Sequence, residues 1–360
     1  MRRSGWVLAA SACVSCLDPA ADRAERDEAV GRETRAGFDV RVSGGLAAVR
    51  SVTDEQVRLW ANAPSLQVRL ESERVPRTFE LLVDNCMPQA TLRTLRGRAS
   101  LEERSRTRPT ACRYRVRLLE APVELALAEP RADESLPFHF GVLSDIQDGI
   151  DRVKDVFERI NAQSELAFVL GAGDLTEEGT PSELERFQEE MKALRIPYYV
   201  TLGNHEIGTT APRYHDYFGR GSSSFVFHGA RFTLLDSADG TLARRVHEWL
   251  DEWLARGRDG VHIVAMHVPP LDPTRLRNGS FISRNEAAAV LGKMAGARVD
   301  LTLYGHIHTY QRFTNAGIDA HLSGGGGAAL EPFDTTGRHF LDVSVDARGV
   351  RYVKVVRVDE

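Results

Sequence analysis

Cysteine is scarce in this chain: four in 360 residues, with only Cys86 and Cys112 beyond the first sixteen positions. At most one bridge can therefore form outside the N-terminus, and two unrelated buried thiols are the alternative. Long apolar runs are missing as well. After the first residues nothing approaches the roughly 20 apolar positions that a membrane-spanning helix needs. Positive charge is in short supply, since the formal net charge is −5, which argues against a dedicated nucleic-acid binder. No internal repeat is present. What remains is a hydrophobic content of 42% and a charged content of 27%, the balance of a soluble globular protein long enough for two domains.

The N-terminus departs from that average. Arg2-Arg3 precede the short apolar run of residues 5–16, a basic region followed by a hydrophobic one, so residues 1–16 are expected to be an export signal. Cys13 and Cys16 follow small residues at the end of that run. This resembles a bacterial lipoprotein site and implies a periplasmic or membrane-anchored protein held by a lipidated cysteine; neither Cys has the usual Leu three positions before it. Residues 17–36 are charged, Ala-rich and without an apolar period, and are expected to be a flexible tether.

Residues 37–130 alternate in short steps, as in Phe38-Asp39-Val40-Arg41-Val42, Leu66-Gln67-Val68-Arg69-Leu70 and Tyr114-Arg115-Val116-Arg117-Leu118. Period-2 alternation of this kind predicts a β-rich, sandwich-like domain of antiparallel strands with one wet face. It carries no catalytic cluster. Nine arginines between positions 93 and 117 form either a patch for anionic surfaces or a set of solvated strand faces. Pro130 and Pro137 bracket a charged linker.

From Phe138 the pattern changes to an α/β one. A strand at 138–144 leads to the helical stripe Ile150, Val153, Phe157 and Ile160, then a buried strand at 166–170. Thr180-Pro181-Ser182-Glu183 is a capping box that opens a helix to about Leu194, and Pro197-Tyr198-Tyr199-Val200-Thr201-Leu202 reads as a third strand. This order predicts parallel strands with right-handed crossovers. Strands at 261–265 and 301–304 alternate with helices near 243–255 and 284–295, and 340–345 with 350–356 closes the chain as a hairpin. Val246, Trp249, Leu250 and Trp253 are a core-facing stripe. Ser323-Gly324-Gly325-Gly326-Gly327 is either a close approach of backbone to substrate or a flexible loop.

Five strand ends carry groups of the kind that bind metals: Asp145 with Gln147, Asp174, Asn204-His205-Glu206, His267, and His306 with His308. A single His after an apolar strand is usually a hydrogen-bonded core edge. Five such ends in one domain are hard to attribute to chance, because parallel strands bring their ends to one edge. Ser144-Asp145-Ile146-Gln147, Gly173-Asp174, Gly203-Asn204-His205-Glu206, Met266-His267 and Gly305-His306-Ile307-His308 resemble, in order and spacing, the motifs of the calcineurin-like metallophosphoesterases. The resemblance covers residues 138 to about 325. It implies a two-sheet α/β/β/α sandwich over 138–360 behind the N-terminal β domain.

The resemblance also implies a reaction and a set of roles. Phosphate mono- or diesters of small molecules would be hydrolysed at a dinuclear metal site by a bridging hydroxide. Asp174 would bridge the metals, Asp145 and His308 would complete the first, and Asn204, His267 and His306 the second. His205 would assist the leaving group, and Glu206 would orient that imidazole. The family's first motif usually has His where this chain has Gln147, and the Tyr that purple acid phosphatases place three residues after the bridging Asp is Glu177 here. If Gln147 ligates through its oxygen, the first metal has mostly oxygen donors, which favours Mn or Fe over Zn. If it does not, the chain is a degenerate metal-binding protein of the same fold. Tyr310, Arg312 and His321 are candidates either for phosphate contact or for structural roles, and no nucleic-acid partner is expected.

Overall fold

In the computed structural model of the chain, residues 18–208, 213–276 and 279–359 are described. The export and lipidation expectation for residues 1–16 lies outside them. Among the described residues no helix is long and apolar enough to cross a membrane.

The first structural unit is a pair of five-stranded sheets. One runs in the order Arg32–Arg35, Phe38–Val42, Leu66–Ser72, Val123–Ala128, Thr91–Arg96; the other runs Ala47–Val52, Gln56–Ala61, Arg77–Asp84, Ala111–Leu118, Ala99–Glu103. Their inward positions, among them Val40, Leu70, Leu81, Val116 and Leu125, are fully buried between the sheets. Pairing is antiparallel except between Gln56–Ala61 and Arg77–Asp84, which run parallel. The strand between them in sequence, Leu66–Ser72, crosses to the other sheet, so the chain returns in its original direction. Cys86 and Cys112 form a disulfide beside the pair Val83 and Cys112. Of the arginines between 93 and 117, Arg98, Arg104, Arg106 and Arg108 pair with Glu120, Glu102, Glu103 and Asp84. About half of that stretch's arginines are thus taken up by neighbouring carboxylates on solvated strand faces.

The tether expected over residues 17–36 is instead an ordered helix and strand. Pro19–Ala29 is helical, opened by the Asp18 side chain, which accepts from the Ala21 N–H, and by Pro19 at the first position. Its buried residues are Ala20, Arg23, Ala24 and Asp27, a stripe at i, i+3, i+4 and i+7. Two of the four are charged, so no apolar period is visible in the sequence. The Arg23 guanidinium donates to both carboxylate oxygens of Asp236, at 2.6 and 3.2 Å, and also pairs with Asp239. Asp27 accepts from the N–H groups of Gly221 and Ser222 at 2.7 and 2.8 Å and lies 3.0 Å from His215 Nε2.

The remaining two sheets build the α/β half. One has the order Tyr198–Thr201, Leu166–Ala172, Phe138–Leu143, His339–Asp346, Gly349–Arg357, with its first three strands parallel. The other has the order Ser223–Phe227, Ala230–Leu235, His262–Met266, Leu301–Tyr304, Ile318–Ser323, Tyr310–Asn315, with its four inner strands parallel. Phe140 and Phe168 of the first sheet meet Phe225 and Phe232 of the second. On the outer faces, helices Val153–Asn161 and Pro181–Glu190 cover one sheet, and Arg244–Gly257 with Arg284–Gly296 cover the other. This is the expected helix-sheet-sheet-helix layering. Val246, Trp249, Leu250 and Trp253 lie in the outer core, and Thr180 and Glu183 form the capping box.

The two halves share an edge. Tyr198–Thr201 is the outermost strand of its sheet, and two asparagines of the β unit take the place of a neighbouring strand. Asn85 donates to the Tyr198 carbonyl and accepts from the Tyr198 N–H; Asn62 does the same with Val200. An open edge is thereby closed by side-chain amides.

Candidate metal centre

Each strand that feeds the site ends at the same rim. Asp145 follows Phe138–Leu143, Asp174 follows Leu166–Ala172 and Asn204 follows Tyr198–Thr201, all parallel in one sheet. His267 follows His262–Met266, while His306 and His308 follow Leu301–Tyr304, parallel in the other. Sharp turns deliver the side chains. Asp145, Gln147, Asp174 and His306 all have positive φ, at 59°, 47°, 54° and 74°, a strained conformation for residues with a Cβ.

Glycines make those turns fit. A Cβ on Gly203 would stand 2.1 Å from Asp174 Oδ1, and one on Gly305 would stand 2.6 Å from Asp145 Oδ2. The tetraglycine is neither flexible nor open to a substrate: all four residues are buried. Gly326 donates to the Ser144 carbonyl at 3.0 Å, Gly324 to Thr309 at 3.0 Å, and Ala328 to the Asp145 carbonyl at 2.9 Å. A Cβ at Gly324 or Gly326 would lie 2.3 Å from the Ile307 or Ser144 carbonyl oxygen. The run is a wedge of bare backbone holding the first and last motif loops together.

The seven expected ligands form two groups that share Asp174. In the first, ligating atoms of Asp145, Asp174 and His308 lie within 4.8 Å of one another. Gln147 stands between them, its Nε2 donating to Asp174 Oδ2 at 2.8 Å and lying 3.2 Å from His308 Nε2. In the second, Asn204 Oδ1 is 2.9 Å from His267 Nε2 and 2.8 Å from His306 Nδ1, and His267 Nε2 is 3.1 Å from Asp174 Oδ2. Outer hydrogen bonds aim the rings. His267 Nδ1 faces the Ala172 carbonyl at 2.8 Å and His308 Nδ1 the Ala329 carbonyl at 2.7 Å, so each turns Nε2 inward. The Ser144 hydroxyl donates to Asp145 Oδ2 at 2.6 Å, a partner visible in the sequence only as the residue before the motif.

Electrostatics favour a cation here. Asp145 and Asp174 are 0% and 1% exposed, two carboxylates buried side by side. Burial raises Asp145 above the ordinary carboxylate range. Burial acts the same way on Asp174, but His267 and His205 hold it below that range. Burial would lower the His267 imidazole, yet the Asp174 carboxylate beside it raises it to about 9. Two acids, three inward-facing imidazoles, an amide oxygen and an amide beside the first group are the donor set of a site for two cations. The residues fit the metals that the resemblance implies.

The role expected of Glu206 does not survive the geometry. Its carboxylate does not touch His205. Oε1 accepts from the N–H groups of Leu175 and Thr176 and from the Thr176 hydroxyl; Oε2 accepts from the N–H groups of Asp174 and Gly203. Glu206 staples the second strand end to the third. Burial and the Asp174 charge push it up to about 7, against the pull of the Gly203 and Thr176 donors. The His205 ring is held instead by the backbone carbonyl of Glu177, 2.5 Å from Nδ1, and the Glu177 carboxylate lies 3.8 Å from the same nitrogen. A backbone acceptor leaves no mark in a sequence. His205 Nε2 is 4.0 Å from Asp174 Oδ2, and its side chain is 28% exposed, facing the opening of the site.

Tyr310, Arg312 and His321 form a separate group. Tyr310 Oη lies 3.1 Å from His321 Nδ1, and Arg312 and His321 both pair with Asp319. They brace the terminal strand pair.

Comparison with known proteins agrees with this geometry. Residues 138–310 match the family model of the calcineurin-like phosphoesterases. A 3′,5′-cyclic-nucleotide phosphodiesterase of Nostoc sp. is 30% identical over 176 residues, 44% of this chain and 62% of that protein. A probable glycerophosphodiester phosphodiesterase of Arcobacter nitrofigilis is 30% identical over 158 residues, 39% of this chain and 56% of that protein. The chain thus spans about three-fifths of the curated relatives it matches. The structure of a purple acid phosphatase from yellow lupin (Lupinus luteus) seeds superposes with a TM-score of 0.51 at 14% identity, over 82% of this chain and 70% of the lupin chain, a likeness of fold.

Proposed function

We propose, from the premise that residues 138–310 are a calcineurin-like phosphoesterase domain, that the chain is a metal-dependent hydrolase of small phosphate esters, diesters before monoesters. One observation carries the reading: Asp174 is shared between two clusters of ligands, one with Asp145, Gln147 and His308 and one with Asn204, His267 and His306. The names of the two relatives, both phosphodiesterases, support the diester.

Metals held by those residues would neutralise the phosphate oxygens and make water more acidic. The chain's own groups do the rest. Asp145 and Asp174 would hold the cations inside a buried cradle, and Mn or Fe would be favoured over Zn if Gln147 turned its oxygen to the first of them. With Nδ1 held by the Glu177 carbonyl, the His205 ring turns Nε2 to the opening, on the side where the departing ester oxygen would receive a proton. The Cys86–Cys112 bridge supports an oxidising compartment, and with it the exported state.

The test is metal content together with hydrolysis of chromogenic diester and monoester substrates, wild type against Asp174→Asn. Two metals per chain with turnover lost in the variant is the expected result. A second reading rests on Gln147, whose Nε2 donates to Asp174 as a cation would. In that reading the first group needs no metal, and one bound metal without turnover would establish it.

A further inference from the structure

Between His267 and the helix Arg284–Gly296 the chain makes a long excursion that the metal centre does not use. Asp272 shapes it: one carboxylate oxygen accepts from the Thr274 N–H and hydroxyl and from the Arg275 N–H, and the other accepts from the Gly279 N–H. The excursion is tied to the site at its inner turn. A Cβ on Gly279 would stand 3.1 Å from both His306 Cδ2 and Ile307 Cγ1.

Its outer side is unusual for a protein of net charge −5. Leu276 and Ile282 are 68% and 82% exposed, the two most exposed large apolar side chains among the described residues, and Leu271 is 45% exposed. Arg275 and Arg284 are exposed beside them, and neither guanidinium has a carboxylate partner among the described residues. Leu271, Arg275, Ile282 and Arg284 border one open groove of about 1070 Å³ that runs to Phe313. Isolated exposed aliphatics need no explanation, but three of them interleaved with two unpaired arginines do.

We propose that the face formed by Leu271, Arg275, Leu276, Ile282 and Arg284 is a docking surface for an anionic lipid bilayer. The aliphatic tips enter the boundary between headgroups and acyl chains, while the guanidinium groups meet anionic headgroups. Complementarity of charge decides the occupant: an apolar protein partner would not need Arg275 and Arg284, whereas an anionic lipid surface uses both. Because the inner turn packs on His306, docking sets the metal centre close beside the lipid surface. The inference stands on exposure and charge, independently of the catalytic reading.

The test uses the full chain carrying Cys13→Ser and Cys16→Ser, so that no lipid is attached. Cosedimentation is measured with vesicles of phosphatidylcholine alone and of phosphatidylcholine with phosphatidylglycerol, against the same chain with Leu276→Glu and Ile282→Glu, and separately with Arg275→Gln and Arg284→Gln. The expected result is binding to the phosphatidylglycerol vesicles that falls with salt, weakens about fivefold for each arginine removed, and drops at least as far in the Leu276→Glu/Ile282→Glu chain. Turnover of a soluble diester and the thermal melting curve should not change, which separates a lost surface from a lost fold. Binding that ignores these substitutions, or that is equal on the neutral vesicles, overturns the proposal. So does self-association that the Leu276→Glu/Ile282→Glu chain abolishes without changing vesicle binding, which would assign the face to a second copy of the chain.

Discussion

The side-chain amide of Asn85 donates to the carbonyl oxygen of Tyr198 and accepts from the amide nitrogen of the same residue, both at 2.9 Å. It pairs as a strand would. Three residues after the matching contact of Asn62 with Val200, the chain has passed Thr201 and Leu202 and turned at Gly203 towards Asn204, so the β unit grips the strand that delivers one of the candidate ligands.

We therefore expect Asn85→Ala to destabilise the protein by on the order of 2 kcal/mol, since it leaves the buried N–H and C=O of Tyr198 without partners, and Asn62→Ala by less, since it strands the Val200 N–H while the Val200 carbonyl keeps the Tyr214 hydroxyl. Urea denaturation would measure this. Metal affinity should weaken alongside it, although neither asparagine touches the site.

His205 and Glu206 are adjacent but act on different things. His205→Ala should retain its metals and lose about 10²–10⁴-fold in kcat. Glu206→Gln should lose metal content, because an amide would turn N–H groups toward backbone donors now held by the carboxylate. Metal stoichiometry and steady-state kinetics on both variants separate the two roles. Equal metal loss in both would contradict them.

Acid should weaken the fold through His262. Burial, with Arg231 nearby, lowers its imidazole to about 4, so it is neutral in the native state. The unfolded chain, titrating near 6.5, binds the extra proton first, and stability therefore falls as pH drops from about 6.5 towards 4. Between pH 7 and pH 5 this amounts to about 2 kcal/mol. Comparing urea midpoints of wild type and His262→Gln at the two pH values would reveal it as a smaller pH dependence in the variant.

Arg23 is 2% exposed and faces Asp236, which is 4% exposed. Arg23→Ala would strand that carboxylate in the interior, and a loss of about 3–5 kcal/mol is expected. A melting temperature within a degree or so of wild type would contradict the placement of helix Pro19–Ala29.

Much of this was legible in the residues. Parallel strands ending in Asp145, Asp174, Asn204, His267 and His306 could be anticipated because burial writes itself as apolar runs and the ends break them. The Thr180–Glu183 box and the Trp249 stripe followed from local rules. What escaped was held by long-range polar contact. Helix Pro19–Ala29 hides its buried stripe behind Arg23 and Asp27, whose partners lie some two hundred positions away. Glu206 has the right neighbour for a dyad with His205 but points at backbone N–H groups, a choice set by the turn at Gly203. The strands Ala47–Val52 and Thr91–Arg96 lack clean alternation, one because it bulges and one because it is an exposed edge.

The glycine wedge has a consequence for how the protein is made. Gly324 to Gly327 joins Ser144 and Asp145 to Ile307, Thr309 and His339, so its contacts unite the start, the late middle and the end of the α/β half. During synthesis from the N-terminus the first motif loop emerges long before its supporting backbone exists. Glycine also loses more conformational freedom than any other residue when it is fixed in place. The candidate metal pocket consequently acquires its last wall near the end of translation, and a nascent chain has no finished pocket with which an ion could be captured early.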